Sequence, residues 1–271
     1  MLDRDPAFWR ALGLTEKVGC AVGAGLAETH VGRAFATRYQ TAVAVPVLKQ
    51  TIDNRLHLLG AEHLPRDESF VLAANHRSYF DLYAVMIAFW PLFAKAPYLY
   101  CPVRTAFFYE KPLGVLFNVA VCANAMYPPV FRDQRGRHLN RYAIGHAVHL
   151  LHWSPRTIIA LHPEGRRSRG EDPYTLMPAR PGVGRIGLAA RRPIVPVFVN
   201  GLASSFRGVV RDRMSLDGPP VRVLVGAPVA VDDLYGDAED PDAWREATGR
   251  TMSAITALGE RDRAWMGGPR P

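Results

Sequence analysis

No apolar run in this chain is long enough to cross a bilayer. The longest, Leu82 to Ala94, is interrupted by Pro91 and falls short of the roughly 20 residues a spanning helix needs. The N-terminus opens on Asp3, Arg4 and Asp5, with no hydrophobic leader. A cytoplasmic protein, soluble or lying on the cytoplasmic membrane face, is expected. Cysteine is scarce. Cys20, Cys101 and Cys122 are odd in number and far apart, which argues against a disulfide framework and for a reducing compartment. They read as small buried hydrophobes. Zinc-finger spacing, an RNP-like strand, a Lys-rich tail, internal repeats and low-complexity segments are all missing. So is a Gly-x-Ser-x-Gly elbow to activate a serine.

Present instead are positive charge and a large core. The 271 residues are 48% hydrophobic and carry a net charge of +8. That length suits one α/β domain with an appendage. The charge favours an anionic partner: nucleic acid, an anionic membrane surface or a phosphorylated substrate. With no nucleic-acid motif, the last two are expected. The charge is mostly arginine, which suits planar recognition of phosphate or carboxylate.

Residues 1–50 read as a helical segment, rich in small residues at first (Gly19, Ala21, Gly23, Ala24, Gly25, Ala27) and then in apolar and aromatic ones (Phe35, Tyr39). Pro46 ends or kinks it. An antiparallel helical pair is the simplest picture. Membrane contact and simple packing both remain open for it. Residues 51–271 alternate strands and helices. Leu56–Gly60, Phe70–Ala74, Val119–Ala125, Thr157–Leu161, Ile194–Val199 and Val221–Val225 read as strands, most of them continuously apolar and so buried on both faces. Helices are expected at Leu82–Phe89, Leu139–Trp153, Gly182–Ala190 and Asp242–Trp265. The expected fold is α/β, with a largely parallel mixed sheet flanked by helices and an N-terminal helical appendage.

Two short segments carry chemistry. Asn75-His76-Arg77-Ser78-Tyr79-Phe80-Asp81 follows one apolar run, and His162-Pro163-Glu164-Gly165-Arg166-Arg167-Ser168 follows another. Both fall where a parallel sheet opens its ligand crevice, at the carboxyl ends of strands. An imidazole can accept a hydroxyl proton near neutral pH, and a carboxylate in the next helical turn can hold its other nitrogen. Ser78-x-x-Asp81 is equally a capping-box variant. In the second segment Gly165 permits a tight turn, and Arg167 can grip a phosphate with two parallel bonds. The stripe His146, His149, His152 lacks the i,i+4 spacing usual for helical zinc sites, so no metal is expected.

Together these segments resemble the His-four-Asp and Phe-Pro-Glu-Gly-Thr-Arg-Ser boxes of the glycerolipid (lysophosphatidic acid) acyltransferases, of the 1-acylglycerol-3-phosphate O-acyltransferase type. Weaker marks agree. Leu59-Gly60-Ala61-Glu62-His63-Leu64-Pro65 is similar to the family's Gly-x-Glu-Asn-Leu-Pro signature. Val130-Phe131-Arg132 stands where a second box ends in a phosphate-binding arginine. Arg180-Pro181-Gly182 resembles a Lys-x-Gly step, and Pro193–Val197 a fourth box. The resemblance runs from about Leu56 to Val225. It implies that His76 is the general base and Asp81 its orienter. It implies that Arg132, Glu164 and Arg167 bind the acceptor's phosphate and head group, with Gly165 and Ser168 shaping the loop. Arg166, where the family has threonine, is expected to bind substrate too and to read a further negative group. His162 stands in place of phenylalanine. The implied donor is acyl-CoA or acyl-carrier protein as co-substrate, with no cofactor. The implied acceptor is a lysophospholipid or glycerol phosphate on an anionic membrane surface, and residues 51–271 become the acyltransferase domain. A non-glycerol acceptor, or a non-catalytic lipid- or phosphate-binding module, are the alternatives.

Overall fold

The computed structural model describes residues 6–52, 55–93, 95–131, 136–214 and 218–267. Four helices come first: α1 (Pro6–Ala11), α2 (Leu14–Ala27), α3 (His30–Tyr39) and α4 (Val45–Ile52). Strand β1 (Leu56–Leu59) and strand β2 (Phe70–Ala74) precede α5 (Asp81–Phe89). Then come β3 (Tyr98–Tyr100), β4 (Val103–Arg104), α6 (Thr105–Phe108), α7 (Pro112–Ala120), β5 (Pro129–Val130) and α8 (Gly136–Trp153). The chain continues through β6 (Thr157–Leu161), α9 (Gly182–Ala190), β7 (Ile194–Asn200), α10 (Phe206–Met214), β8 (Val221–Val225) and the long closing helix α11 (Pro241–Gly267).

Six strands form one sheet in the order β1-β8-β7-β2-β6-β3. All pairings are parallel except β7 with β8. A separate small sheet pairs β4 with β5. Strand β2 lies between β7 and β6, and every residue of it is buried. Its side chains alternate between two cores. Phe70, Leu72 and Ala74 pack with α5 on one face, and Val71 and Ala73 pack with α8, α9 and α11 on the other. The continuous apolar run is the consequence of this double burial.

One expectation needs correction, and one of the two alternatives for Pro46 is excluded. Val119–Ala125 is not a strand. Helix α7 runs to Ala120, and turns follow with Ala123 and Asn124 at φ of 48° and 61°. A short apolar run fits a helix end as well as a buried strand. Asn124 tolerates the left-handed conformation and bonds the Gly23 carbonyl at 2.9 Å. Pro46 does not end its helix either. A π-helical turn, Gln40–Ala44, widens the chain just before it, and α4 carries on to Ile52. Pro46 has no N–H to give to the preceding turn, and the wider turn accommodates this.

Helices α2 and α3 are joined by Glu28 and Thr29, whose hydroxyl caps α3 through the Gly32 N–H (3.0 Å). The small residues of α2 are seats for aromatic rings. A Cβ on Gly19 would stand 2.9 Å from the Tyr109 ring, and one on Gly23 2.9 Å from the Tyr127 ring. Glu28 joins Tyr127 and His146 of α8 in a buried hydrogen-bonded group. The N-terminal helices are thus fastened to the sheet's helical layer. All three cysteines are free and buried.

Candidate active site

The parallel pairing of β2 with β6 sets the site. Ala73 is in register with Leu161, so the segments that follow these strands emerge side by side. They are then tied to each other twice through His76. The His76 N–H donates to Glu164 Oε1 (2.7 Å), and the Ser168 N–H donates to the His76 carbonyl (2.8 Å). Asn75 fixes the other side, exchanging two bonds of 2.7 and 3.0 Å with the Val199 backbone of β7. Asn75 was not singled out from the sequence, because its partner lies on another strand.

Asp81 starts α5 and is 1% exposed. Its Oδ2 accepts three bonds: from the Arg77 N–H (2.7 Å), the Ser78 N–H (2.8 Å) and His76 Nδ1 (3.0 Å). Only half of a capping box forms, since the Ser78 hydroxyl turns away to the Ala203 carbonyl (2.7 Å). The bonds to Arg77 and Ser78 fold the helix start back toward His76. With the carboxylate on Nδ1, the Nδ1–H tautomer follows from the network and Nε2 carries the lone pair.

Burial pushes His76 down to about 4, helped by the charges of Arg167 and Arg104. Burial pushes Asp81 up to about 6, opposed by His162 and by the Ser78 and Arg77 N–H groups. At neutral pH the pair is therefore a neutral imidazole beside a carboxylate. That is the resting state a general base needs.

His162 stacks on His76, with ring centroids 3.8 Å apart and planes 8° from parallel. Its Nδ1 bonds the Ala74 carbonyl (3.0 Å), and burial together with His76 lowers its proton affinity to a pKa of about 4. His76, Asp81 and His162 are the one group among the described residues with metal-like donor spacing. Stacked rings hold their in-plane lone pairs in parallel planes, so these do not converge on one ion. The two Nδ1 atoms are also engaged already, with Asp81 and with Ala74.

Both oxygens of Glu164 are used inside the protein. Oε1 takes the His76 N–H, and Oε2 takes the Met177 N–H (2.7 Å). The residue is 3% exposed and turns inward, away from solvent. Gly165 sits at φ 65°, a conformation glycine adopts at little cost. Ser168 is buried, and its hydroxyl stands 3.5 Å from Arg77 Nη1. Arg167 lies over the Tyr79 ring at 3.5 Å and donates to the Ser204 carbonyl (2.6 Å). Arg166 is exposed. Arg132 lies outside the described residues. Arg104, which sequence reasoning missed, reaches in from β4 and donates to the Gly165 carbonyl (2.8 Å). A two-residue strand leaves almost no signal in sequence.

A model of the family described as Acyltransferase matches residues 55–200, more than half of the chain. The chain belongs to the acyltransferase family. No curated protein matches it. The matched region holds β1 through β7, and with them His76, Asp81 and the whole arginine turn of this acyltransferase. Among the described residues, no helix is long and apolar enough to cross a membrane.

Proposed function

We propose that this acyltransferase moves a fatty acyl group from acyl-CoA or acyl-carrier protein to a hydroxyl of a phosphate-bearing acceptor of the lysophospholipid or glycerol phosphate type. The observation that carries the reading is the buried Asp81 carboxylate on His76 Nδ1, beside the fixed Arg167 guanidinium. His76 Nε2 takes the acceptor's hydroxyl proton. The oxygen attacks the thioester carbonyl, the C–S bond breaks, and the thiolate leaves with a proton. The Asp81 carboxylate steadies the imidazolium formed in between. Arg167 holds the acceptor's phosphate. Glu164 acts as a positioning residue, keeping the two segments in register. Transfer is direct: no enzyme nucleophile is needed. Burial raises the Cys20 thiol and the Cys101 thiol to about 12.

The test incubates the purified chain with acyl-CoA and 1-acylglycerol 3-phosphate, together and singly. Thiol release and the diacyl product are expected only when both are present, with no change in intact protein mass under donor alone. A stoichiometric, turnover-competent acyl adduct would replace direct transfer by a covalent route.

Peripheral binding to the cytoplasmic face of an anionic membrane belongs to the same proposal. Leu14, Val18 and Val22 form an exposed stripe on α2, Val31 and Phe35 one on α3, and Leu113, Leu116 and Phe117 one on α7. These helices touch. A Gly19 Cβ would stand 3.2 Å from Val115 of α7, and the Tyr39 hydroxyl donates to the Ala120 carbonyl (2.5 Å). Arg10, Arg38 and Lys111 are exposed on or beside the same elements. Apolar area with surrounding positive charge favours acidic lipid and weakens with salt. Flotation should recover the protein on anionic vesicles at low salt and less of it on neutral ones. Val18→Glu with Leu116→Glu should abolish recovery. Equal recovery on both vesicles, or an unaffected double variant, would contradict this surface.

A further inference from the structure

One face of the base is covered by a second ring that the acyl-transfer steps leave without a task. His162 directly follows β6 and is half-buried. Its imidazole lies 3.8 Å from that of His76, centroid to centroid, with the planes 8° from parallel. Two bonds fix it. Its Nδ1 donates to the Ala74 carbonyl (3.0 Å), and its own carbonyl accepts the Gly165 N–H (2.8 Å). Ala74 is the last residue of β2, just ahead of Asn75 and His76, and is in register with Val197 of β7. The second ring is thus pinned to the strand end that carries the first.

Asp81 holds only Nδ1 of the base. The lone pair that meets the acceptor is on Nε2, across the ring. A hydrogen bond at one atom leaves a ring free to rock, and the outer torsion of a histidine has broad wells. A flat partner against the face removes that motion, provided the partner's own plane is fixed. The bond to Ala74 fixes it here. A phenylalanine could stack but has no N–H by which to be held. The pair also has an electrostatic side. Burial and the neighbouring His76 lower the His162 pKa to about 4, so its ring is neutral at neutral pH and stays so when His76 takes the acceptor's proton. A neutral aromatic face attracts a cation placed over it, whereas a second imidazolium would repel it.

We propose that His162 is a positioning residue for the reaction: locked to the Ala74 carbonyl, it holds the plane of the His76 imidazole and presents a neutral ring to the imidazolium formed during turnover. The turnover in question rests on the acyl-transfer reading above.

Two substitutions separate the stack from its lock. His162→Phe keeps a ring but loses the bond to Ala74. His162→Asn keeps an N–H donor near the Nδ1 position but has no ring. His162→Asn should lower kcat about 10²-fold, the cost of about 1 Å of misplacement at the reacting centre. His162→Phe should lower it about tenfold, the upper worth of one neutral hydrogen bond. Both KM values should stay close to wild type. Wild-type kcat in both variants overturns the proposal, as does a loss confined to KM. In a His76→Ala background either substitution should leave the residual rate unchanged, because His162 acts through His76. A further loss there reveals a general structural role and also overturns the proposal. Nitrogen-15 spectra of histidine-labelled protein need no substrate. The His76 ring signals, assigned by their absence in His76→Ala, should be single and sharp in the wild type and broadened or doubled in His162→Phe. Unaltered signals overturn the plane-fixing. Altered signals in a chain that releases no thiol support the positioning of His76 by His162 and count against the acyl-transfer reading instead.

Discussion

His76→Ala is expected to lower thiol release by about 10²–10⁴-fold, the usual contribution of a positioned general base, with the fold retained. The ring makes one side-chain bond, to Asp81, and one stack, on His162. The bonds that knit the two segments use the His76 backbone instead, and alanine keeps them. Circular dichroism and the urea midpoint should therefore stay close to wild type while activity collapses. Near-wild-type thiol release from pure His76→Ala would end the mechanism. Wild-type activity should fall as acid protonates the His76–Asp81 pair, with apparent values that belong to the pair rather than to either residue. The acid limb should lie between about 4, where burial and the two arginines hold His76, and about 6, where burial holds Asp81. Asp81→Asn should also be slow, because an amide does not stabilise the imidazolium. It should show its acid limb at lower pH, having lost the group that titrates near 6. An unshifted limb in that variant would assign the titration to another group.

Glu164→Ala is expected to lower both stability and turnover, and to leave the acceptor's KM little changed. Removing the carboxylate strands the His76 and Met177 N–H groups. Each loses a bond to a charged group worth about 1.5–3 kcal/mol. The first loosens the backbone of the base itself. A misplacement of about 1 Å at such a point can cost about 10²-fold in rate. Glu164→Gln should recover part of both effects, since its carbonyl oxygen can still serve one N–H while its amide cannot accept from the other. The opposite pattern, a raised acceptor KM with unchanged stability and kcat, would return Glu164 to the role the family resemblance implies, direct binding of the acceptor.

The strand ends that bear the two segments were legible because β2 and β6 are buried on both faces, and double burial writes a continuous apolar run. Helices α9 and α11 cover the expected spans Gly182–Ala190 and Asp242–Trp265. The segment Val119–Ala125 was not, because an apolar run of that length does not distinguish a helix end from a strand. The left-handed turn at Ala123 and Asn124 depends on a partner, Gly23, 101 residues away in sequence.

The residue types of the site, a histidine, a carboxylate and an arginine-rich turn, are properties of the chain as written, and so is its membership of the acyltransferase family. What each group touches was decided only by the tertiary structure. Parallel registration of β2 with β6 turned Glu164 inward onto the His76 backbone and laid His162 on the imidazole, while β4, which follows the β6 neighbour β3, brought Arg104 to Gly165 from 61 positions away. Sequence spacing governs contacts within one turn or one helix. These contacts cross between strands, where partners are chosen by sheet order, and sheet order minimises exposed apolar area over the whole core rather than over any one segment.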